Sequence, residues 1–297
     1  MGLILRRNRV VAVVTATVVT LASAPFGAEA RYRPHARVGH APPYAAIVID
    51  ANSGRVLSAV NPDSARHPAS LTKIMTLYLL FERLESGELT VDTQLAVSAH
   101  AAAQEPSRLG LRRGQSIRVG DAIRAMVTKS ANDVAVAMAE AIGGSEREFA
   151  VLMTRKARAL GMGHTTFVNA SGLPDRDQIT TARDQAVLGT AIRERFPGYY
   201  RYFSTFSFRY RGMVWRNHNR LLGRVAGVDG IKTGYTRASG FNLVASVRRD
   251  GRRLVAVVLG GRSGRARDAA MRRLIAAHIA KASPSRPAMA SGGDQHK

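Results

Sequence analysis

No cysteine occurs among the 297 residues, so disulfide frameworks, thiolate zinc sites, iron–sulfur clusters and cysteine nucleophiles are all excluded. Covalent chemistry in this chain has to use oxygen or nitrogen. Acidic residues are few: 21 Asp plus Glu stand against 44 Lys plus Arg, a formal charge of +23. Lysine is scarcer still, with six against 38 arginines. Aromatics make up 6% and prolines number 11, yet 45% of the residues are hydrophobic, enough to bury a core and to exclude wholesale disorder or a collagen-like chain.

Long apolar runs are also missing. The longest candidate, Val10 to Ala22, is thirteen residues, short of the ~20 needed to span a bilayer. It follows Arg6, Arg7 and Arg9 and precedes Ala28-Glu29-Ala30, a small-x-small cleavage site. Residues 1–30 are therefore expected to be a secretory signal peptide. The mature chain, starting near Arg31 with a charge of +21, is expected to be exported, periplasmic or extracellular. The positive residues are spread along the chain without a dense run or an RNA-binding aromatic signature, so no nucleic-acid partner is expected. Loose association with an anionic wall or membrane surface is the expectation instead. The eight histidines form no His-x-x-x-His pair beside a carboxylate, and no phosphate-cradling glycine loop occurs, so neither a metal nor a cofactor is expected.

Residues 31–42 read as a flexible lead-in, 43–281 as one domain and 282–297 as a disordered tail. Tyr44–Asp50 and Arg55–Val60 flank Ala51-Asn52-Ser53-Gly54 as a hairpin. Ser70–Leu84 is densely apolar at helical spacing and should be a buried helix with Ser70 at its start. Val119–Ile142 is helical, broken at Lys129-Ser130-Ala131-Asn132, and two more helices open at Ser145 and Thr181. Gly227–Gly234, Phe241–Val247 and Arg253–Leu259 read as three strands, the last two joined at Asp250-Gly251, and Arg265–Ala280 as a closing helix. Strands at both ends around a helical middle predict one antiparallel sheet beside a helical lobe, with a cleft between them.

Ser70-x-x-Lys73 puts a hydroxyl and an amine on one face at the start of a helix. A serine becomes nucleophilic only when a base takes its proton, and a lysine serves if burial or a second cation keeps it neutral. Alone, the pattern is weak and more often describes a helix cap followed by a surface lysine. Ser130-Ala131-Asn132 adds a hydroxyl for proton relay and an amide for a polar substrate. Lys232-Thr233-Gly234 adds an ammonium and a hydroxyl for a carboxylate, with a glycine permitting close approach. The three elements stand in this order, 60 and then 102 residues apart, and take up two of the six lysines.

This trio resembles the serine penicillin-recognising enzymes. Three longer runs carry the likeness further: Ala69–Thr76 (ASLTKIMT), Phe167–Pro174 (FVNASGLP), and Asp229–Gly234 (DGIKTG) with Gly240–Ser246 (GFNLVAS). They are similar to the low-molecular-mass penicillin-binding proteins that act as D-alanyl-D-alanine carboxypeptidases. The likeness covers about residues 43–280 and implies a mixed α/β fold of β-lactamase/transpeptidase type, an antiparallel sheet flanked by helices plus an all-helical lobe. It further implies that a peptidoglycan stem pentapeptide is the substrate and that β-lactam antibiotics are covalent inhibitors.

Under that resemblance Ser70 would be the nucleophile, Lys73 its proton acceptor and Ser130 the donor to the leaving D-alanine. Asn132 would hold the peptide, while Lys232, Thr233 and Gly234 would form the seat of the terminal carboxylate. The backbone N–H groups of Ser70 and Tyr235 would make the oxyanion hole, and Arg267 would be a further carboxylate anchor. The middle element reads Ser-Ala-Asn where carboxypeptidases commonly have Ser-Gly-Asn. Between Asn132 and Lys232 no Glu lies four residues before an Asn, so the deacylating base of class A β-lactamases has no counterpart. A carboxypeptidase is the favoured reading; the alternatives are a D,D-endopeptidase on cross-links, a β-lactamase, or a noncatalytic wall-binding protein.

Overall fold

The computed structural model describes residues 43–285. The expected signal peptide and lead-in lie outside the described residues, as does the end of the expected tail. The chain enters through β1 (Ala45–Asp50) and β2 (Val56–Val60), then a 3-10 turn (Ala69–Leu71) and α1 (Thr72–Glu85). The helical lobe follows: β3 (Gln94–Ala96), α2 (Ala99–Ala102), β4 (Ser116–Arg118), α3 (Val119–Thr128), α4 (Asn132–Gly143) and α5 (Glu146–Ala159). After α6 (Ala182–Arg195) and α7 (Pro197–Tyr200) come the ribbon strands β5 (Ser207–Tyr210) and β6 (Met213–Arg216). The chain closes with β7 (Val228–Thr236), β8 (Gly240–Arg249), β9 (Arg252–Gly261) and α8 (Gly264–His278).

The two ends of the chain meet in one five-stranded antiparallel sheet, ordered β2-β1-β9-β8-β7. Ala45 pairs with Leu259 and Asp50 with Leu254, so the first strand lies against the last. Because successive side chains point to opposite faces, β1 contributes Ile47 and Ile49 to the core under the helical lobe and Ala46 and Val48 to the layer under α8. All six residues of β1 are buried, as a central strand covered on both faces requires. Each fully buried Val, Leu or Ile side chain stabilises this arrangement by roughly 1.5–3 kcal/mol. β7 is left at one edge of the sheet, where it meets the 3-10 turn ahead of α1.

α1 is apolar nearly all round: Ile74, Met75, Leu77, Leu80 and Phe81 are fully buried. Such a helix belongs at the centre of a domain. Its polar residues Lys73 and Thr76 are fully buried with it and so need partners. The helix starts that the sequence predicts at Ser145 and Thr181 are observed, each side-chain oxygen accepting from a backbone N–H three residues on. The break between α3 and α4 falls at residues 129–131, within the expected interruption.

Two features differ from the sequence expectation. The ribbons β3–β4 and β5–β6 are three and four residues per strand, too short to register as alternation. Residues 282–285 continue the fold: Ala282 is buried, Ser283 N donates to Asp50 Oδ2 at 2.9 Å and Ser285 N donates to the Gly251 carbonyl at 2.8 Å.

α6 packs close on the sheet through Gly189, where an added Cβ would come within 3.0 Å of Val244 Cγ1 and 3.2 Å of both Ile231 Cδ1 and Val255 Cγ1. Gly189→Val therefore overpacks this contact. Urea unfolding should show a loss of about 1–3 kcal/mol; an unchanged midpoint would show that α6 moves away freely.

Candidate active site

Ser70 lies in the 3-10 turn ahead of α1, entered through Ala69 in the left-handed region at φ +49°. No side chain caps α1, which removes the helix-cap reading of this serine. Lys73, one turn on, brings its amine to 3.2 Å from Ser70 Oγ. The same Nζ lies 2.7 Å from Asn132 Oδ1 and 2.5 Å from the Ser171 carbonyl. Both of those oxygens can only accept, so two of the amine's N–H bonds are committed to them. A neutral amine then presents its lone pair to the Ser70 hydroxyl, the one neighbour with a proton to give. Burial, and after it the charge of Lys232, holds the Lys73 amine well below the usual lysine range, against the pull of Asp133 and Glu146.

The loop between α3 and α4 supplies the second element. Ser130 adopts φ +62°, a left-handed conformation that non-glycine residues seldom take, and its buried Oγ has no hydrogen-bond partner. It makes no hydrogen bond to Ser70, Lys73 or Lys232 in this structure. An unpartnered buried hydroxyl costs about 1–3 kcal/mol, which a bound substrate can recover. Asn132 does something the sequence did not suggest: its Oδ1 holds Lys73, and its Nδ2 donates to the Glu105 carbonyl at 2.9 Å. One amide hydrogen remains for a ligand.

β7 supplies the third. Lys232 is buried, donates to the Thr233 carbonyl at 2.9 Å, and is pushed down to about 7 by burial and then by Arg267. Thr233 is buried beside it. A Cβ on Gly234 would lie 3.0 Å from both Pro68 O and Ser70 N, so this glycine admits the serine's own backbone rather than only a substrate. Tyr235 is 56% exposed and its ring stacks on Phe241 with ring centroids 4.2 Å apart. Ser70, Lys73, Asn132 and Gly234 are thus brought together, with Lys232 close enough to act on the Lys73 amine.

Arg267 is held rather than solvated: Nε and Nη2 both donate to Asp268 Oδ1, at 2.9 and 2.7 Å, and Nη1 donates to the Asn242 carbonyl at 3.3 Å. Buried at the start of α8, it acts on Lys232 as a fixed charge.

A cavity of about 310 Å³ opens beside the serine, lined by Pro68, Ala69, Leu173, Pro174, Thr236 and Ala238 among others. Its far wall belongs to residues 173–178, which follow directly on the turn at residues 169–172, a segment with no role assigned from the sequence. Asn169 Oδ1 accepts from Gly172 N at 2.7 Å, and this turn carries the Ser171 carbonyl to Lys73. The signal was present in the Phe167–Pro174 run, but a carbonyl ligand leaves no side-chain mark. Gly172 makes the approach possible: at φ +85°, an added Cβ would sit 1.9 Å from Ala69 O. Gly172→Ala should displace the serine turn and slow reaction of Ser70 with a serine-directed covalent probe about a hundredfold, with circular dichroism unchanged. A wild-type labelling rate would refute this role.

A family model described as D-alanyl-D-alanine carboxypeptidase matches residues 35–263. The D-alanyl-D-alanine carboxypeptidase DacD of Escherichia coli is 36% identical over 236 residues, 77% of this chain and 61% of its own length. The chain therefore spans about three-fifths of that relative. The structure of penicillin binding protein 5 from Haemophilus influenzae superposes with a TM-score of 0.77 at 33% identity, covering 80% of this chain and 70% of the other. Penicillin-binding protein D2 from Listeria monocytogenes, solved in its cefotaxime-bound form, superposes at 0.68 with 30% identity over 78% of this chain and 95% of the other.

Proposed function

The chain belongs to the D-alanyl-D-alanine carboxypeptidase family, and on that premise we propose that it removes the terminal D-alanine from peptidoglycan stem pentapeptides through an acyl-enzyme on Ser70. The observation that carries the proposal is the Lys73 amine, held by two oxygens that cannot donate and set 3.2 Å from the serine hydroxyl.

In this reading Ser70 Oγ attacks the carbonyl carbon of the D-Ala–D-Ala bond while its proton passes to the neutral Lys73 amine. The backbone N–H groups of Ser70 and Tyr235 receive the developing oxyanion. Ser130, whose hydroxyl is unpartnered, hands its proton to the leaving nitrogen as the C–N bond breaks and is reprotonated by the proton Lys73 has just received, so D-alanine departs and the Lys73 amine is neutral again. Water then hydrolyses the ester, returning Ser70 and a peptide shortened by one residue. Asn132 uses its remaining amide hydrogen on the peptide. Lys232 and Thr233 take the terminal carboxylate, whose arrival favours the charged form of a lysine otherwise poised near 7. Arg267 strengthens that field from behind.

The same geometry fits a β-lactam, whose strained amide presents a carbonyl and a nearby carboxylate. The β-lactam bound to the Listeria relative supports that part of the reading. Export is supported by the basic-apolar-small pattern of residues 1–30. Among the described residues no helix is long and apolar enough to cross a membrane.

Intact mass spectrometry after incubation with benzylpenicillin tests the proposal. Wild type should gain one penicillin mass and Ser70→Ala none, while a pentapeptide substrate should release one D-alanine per turnover. Equal labelling of the two proteins, or cleavage of cross-linked dimers in preference to the pentapeptide, would overturn it.

A further inference from the structure

Among the carboxylates that the mechanism does not use, two bear on the Lys73 amine, Asp133 and Glu146. Asp133, in the first turn of α4, is fully buried. Its Oδ2 accepts from three successive backbone N–H groups, those of Leu109 at 3.0 Å, Gly110 at 2.8 Å and Leu111 at 3.1 Å. Its Oδ1 accepts from Leu109 N and from Val134 N, each at 2.9 Å. The strap so held, residues 105–111, doubles back over the Ser130 loop. Its Glu105 carbonyl accepts from Asn132 Nδ2 and its Ser107 carbonyl from Asn132 N at 2.7 Å. Ser107 Oγ donates to the Lys129 carbonyl at 2.8 Å.

Glu146, in the first turn of α5, does the matching work on the other side. Its Oε1 accepts from Ala170 N at 3.0 Å and its Oε2 lies 2.7 Å from His100 Nε2. The residue it pins is held on its other side as well, the Ala170 carbonyl accepting from Thr76 Oγ1 at 2.7 Å, and the next carbonyl along, Ser171, accepts from Lys73.

We propose that Asp133 and Glu146 are positioning residues for Lys73, each pinning the backbone of a segment that fixes one of the two oxygens holding the lysine amine. Asp133 acts through the strap on Asn132 Oδ1; Glu146 acts through Ala170 on the Ser171 carbonyl. Neither touches the substrate. Their charges bear on the same amine. Both favour its protonated form, against burial and the Lys232 ammonium on β7. His218, in the loop before β7 and partly solvent-exposed, shares this field; burial and then Lys232, Lys129, Arg267 and Lys73 push it down to about 4, so it adds no charge near neutrality.

This inference rests on the acyl-enzyme reading, and its test separates the two. Wild type acylated by benzylpenicillin secures the reading; the variants Asp133→Asn and Glu146→Gln then test the positioning. Hydrogen exchange should quicken at residues 109–111 in the first variant and at 169–172 in the second, whatever the activity. Acylation rates should fall between about tenfold and about a hundredfold, the scale of a misplaced catalytic group. The acid limb of the acylation profile should move to lower pH in both, because removing a negative charge lets Lys73 stay neutral in more acid. Glu146, at the lobe surface, keeps the test open if the Asp133 variant fails to fold. Rates within twofold of wild type, or losses that follow melting temperature with the acid limb unmoved, would overturn the inference.

Discussion

The site is organised around a primary amine taken almost completely out of water. Lys73 is fully buried on a helix whose buried residues are mostly apolar, and an isolated buried ammonium would cost far more than any single contact returns. The fold meets this demand by bringing two carbonyl oxygens from distant segments to the amine and by leaving its third direction to Ser70. The chemistry is the remainder of that solvation problem. An amine with two fixed acceptors and a depressed proton affinity has one place to find a proton.

The topology follows from the same requirement. Pairing β1 with β9 joins the chain ends, leaves β7 at the sheet edge and sets α1 between sheet and lobe, so that residues 70, 132, 171 and 234 reach one point from four segments. Close approach of those segments leans on residues without bulk. Gly234 lies against the serine's nitrogen and Gly172 against the carbonyl before it. Left-handed backbone at Ala69 and Ser130 marks the two turns where local preference yields to the site, as strained positions at functional centres commonly do.

Much of this was legible in the letters. The hairpins, the break at 129–132, the caps at Ser145 and Thr181 and the sheet-plus-lobe architecture all leave side-chain signatures that period and turn chemistry reveal. The hydroxyl–amine pair at 70 and 73 was equally visible, because three residues on a helix determine who neighbours whom. What could not be read was anything carried by main-chain atoms: the Ser171 carbonyl, the strap at 105–111, and the backbone N–H groups that Asp133 gathers. The pairing of Arg267 was hidden for a related reason. Its neighbour Asp268 stands next to it in sequence, but only the packing of α8 on β8 and β9 turns both side chains inward to pair.

The scarcity of lysine, six in the chain, makes the central claim directly measurable. With lysine labelled at Cε and the Lys73 signal assigned by its loss in Lys73→Arg, the carbon shift followed against pH reports the amine's own titration. The account predicts a midpoint well below the ~10.4 of an ordinary lysine. A Lys73 signal that titrates with the solvent-exposed lysines would contradict it.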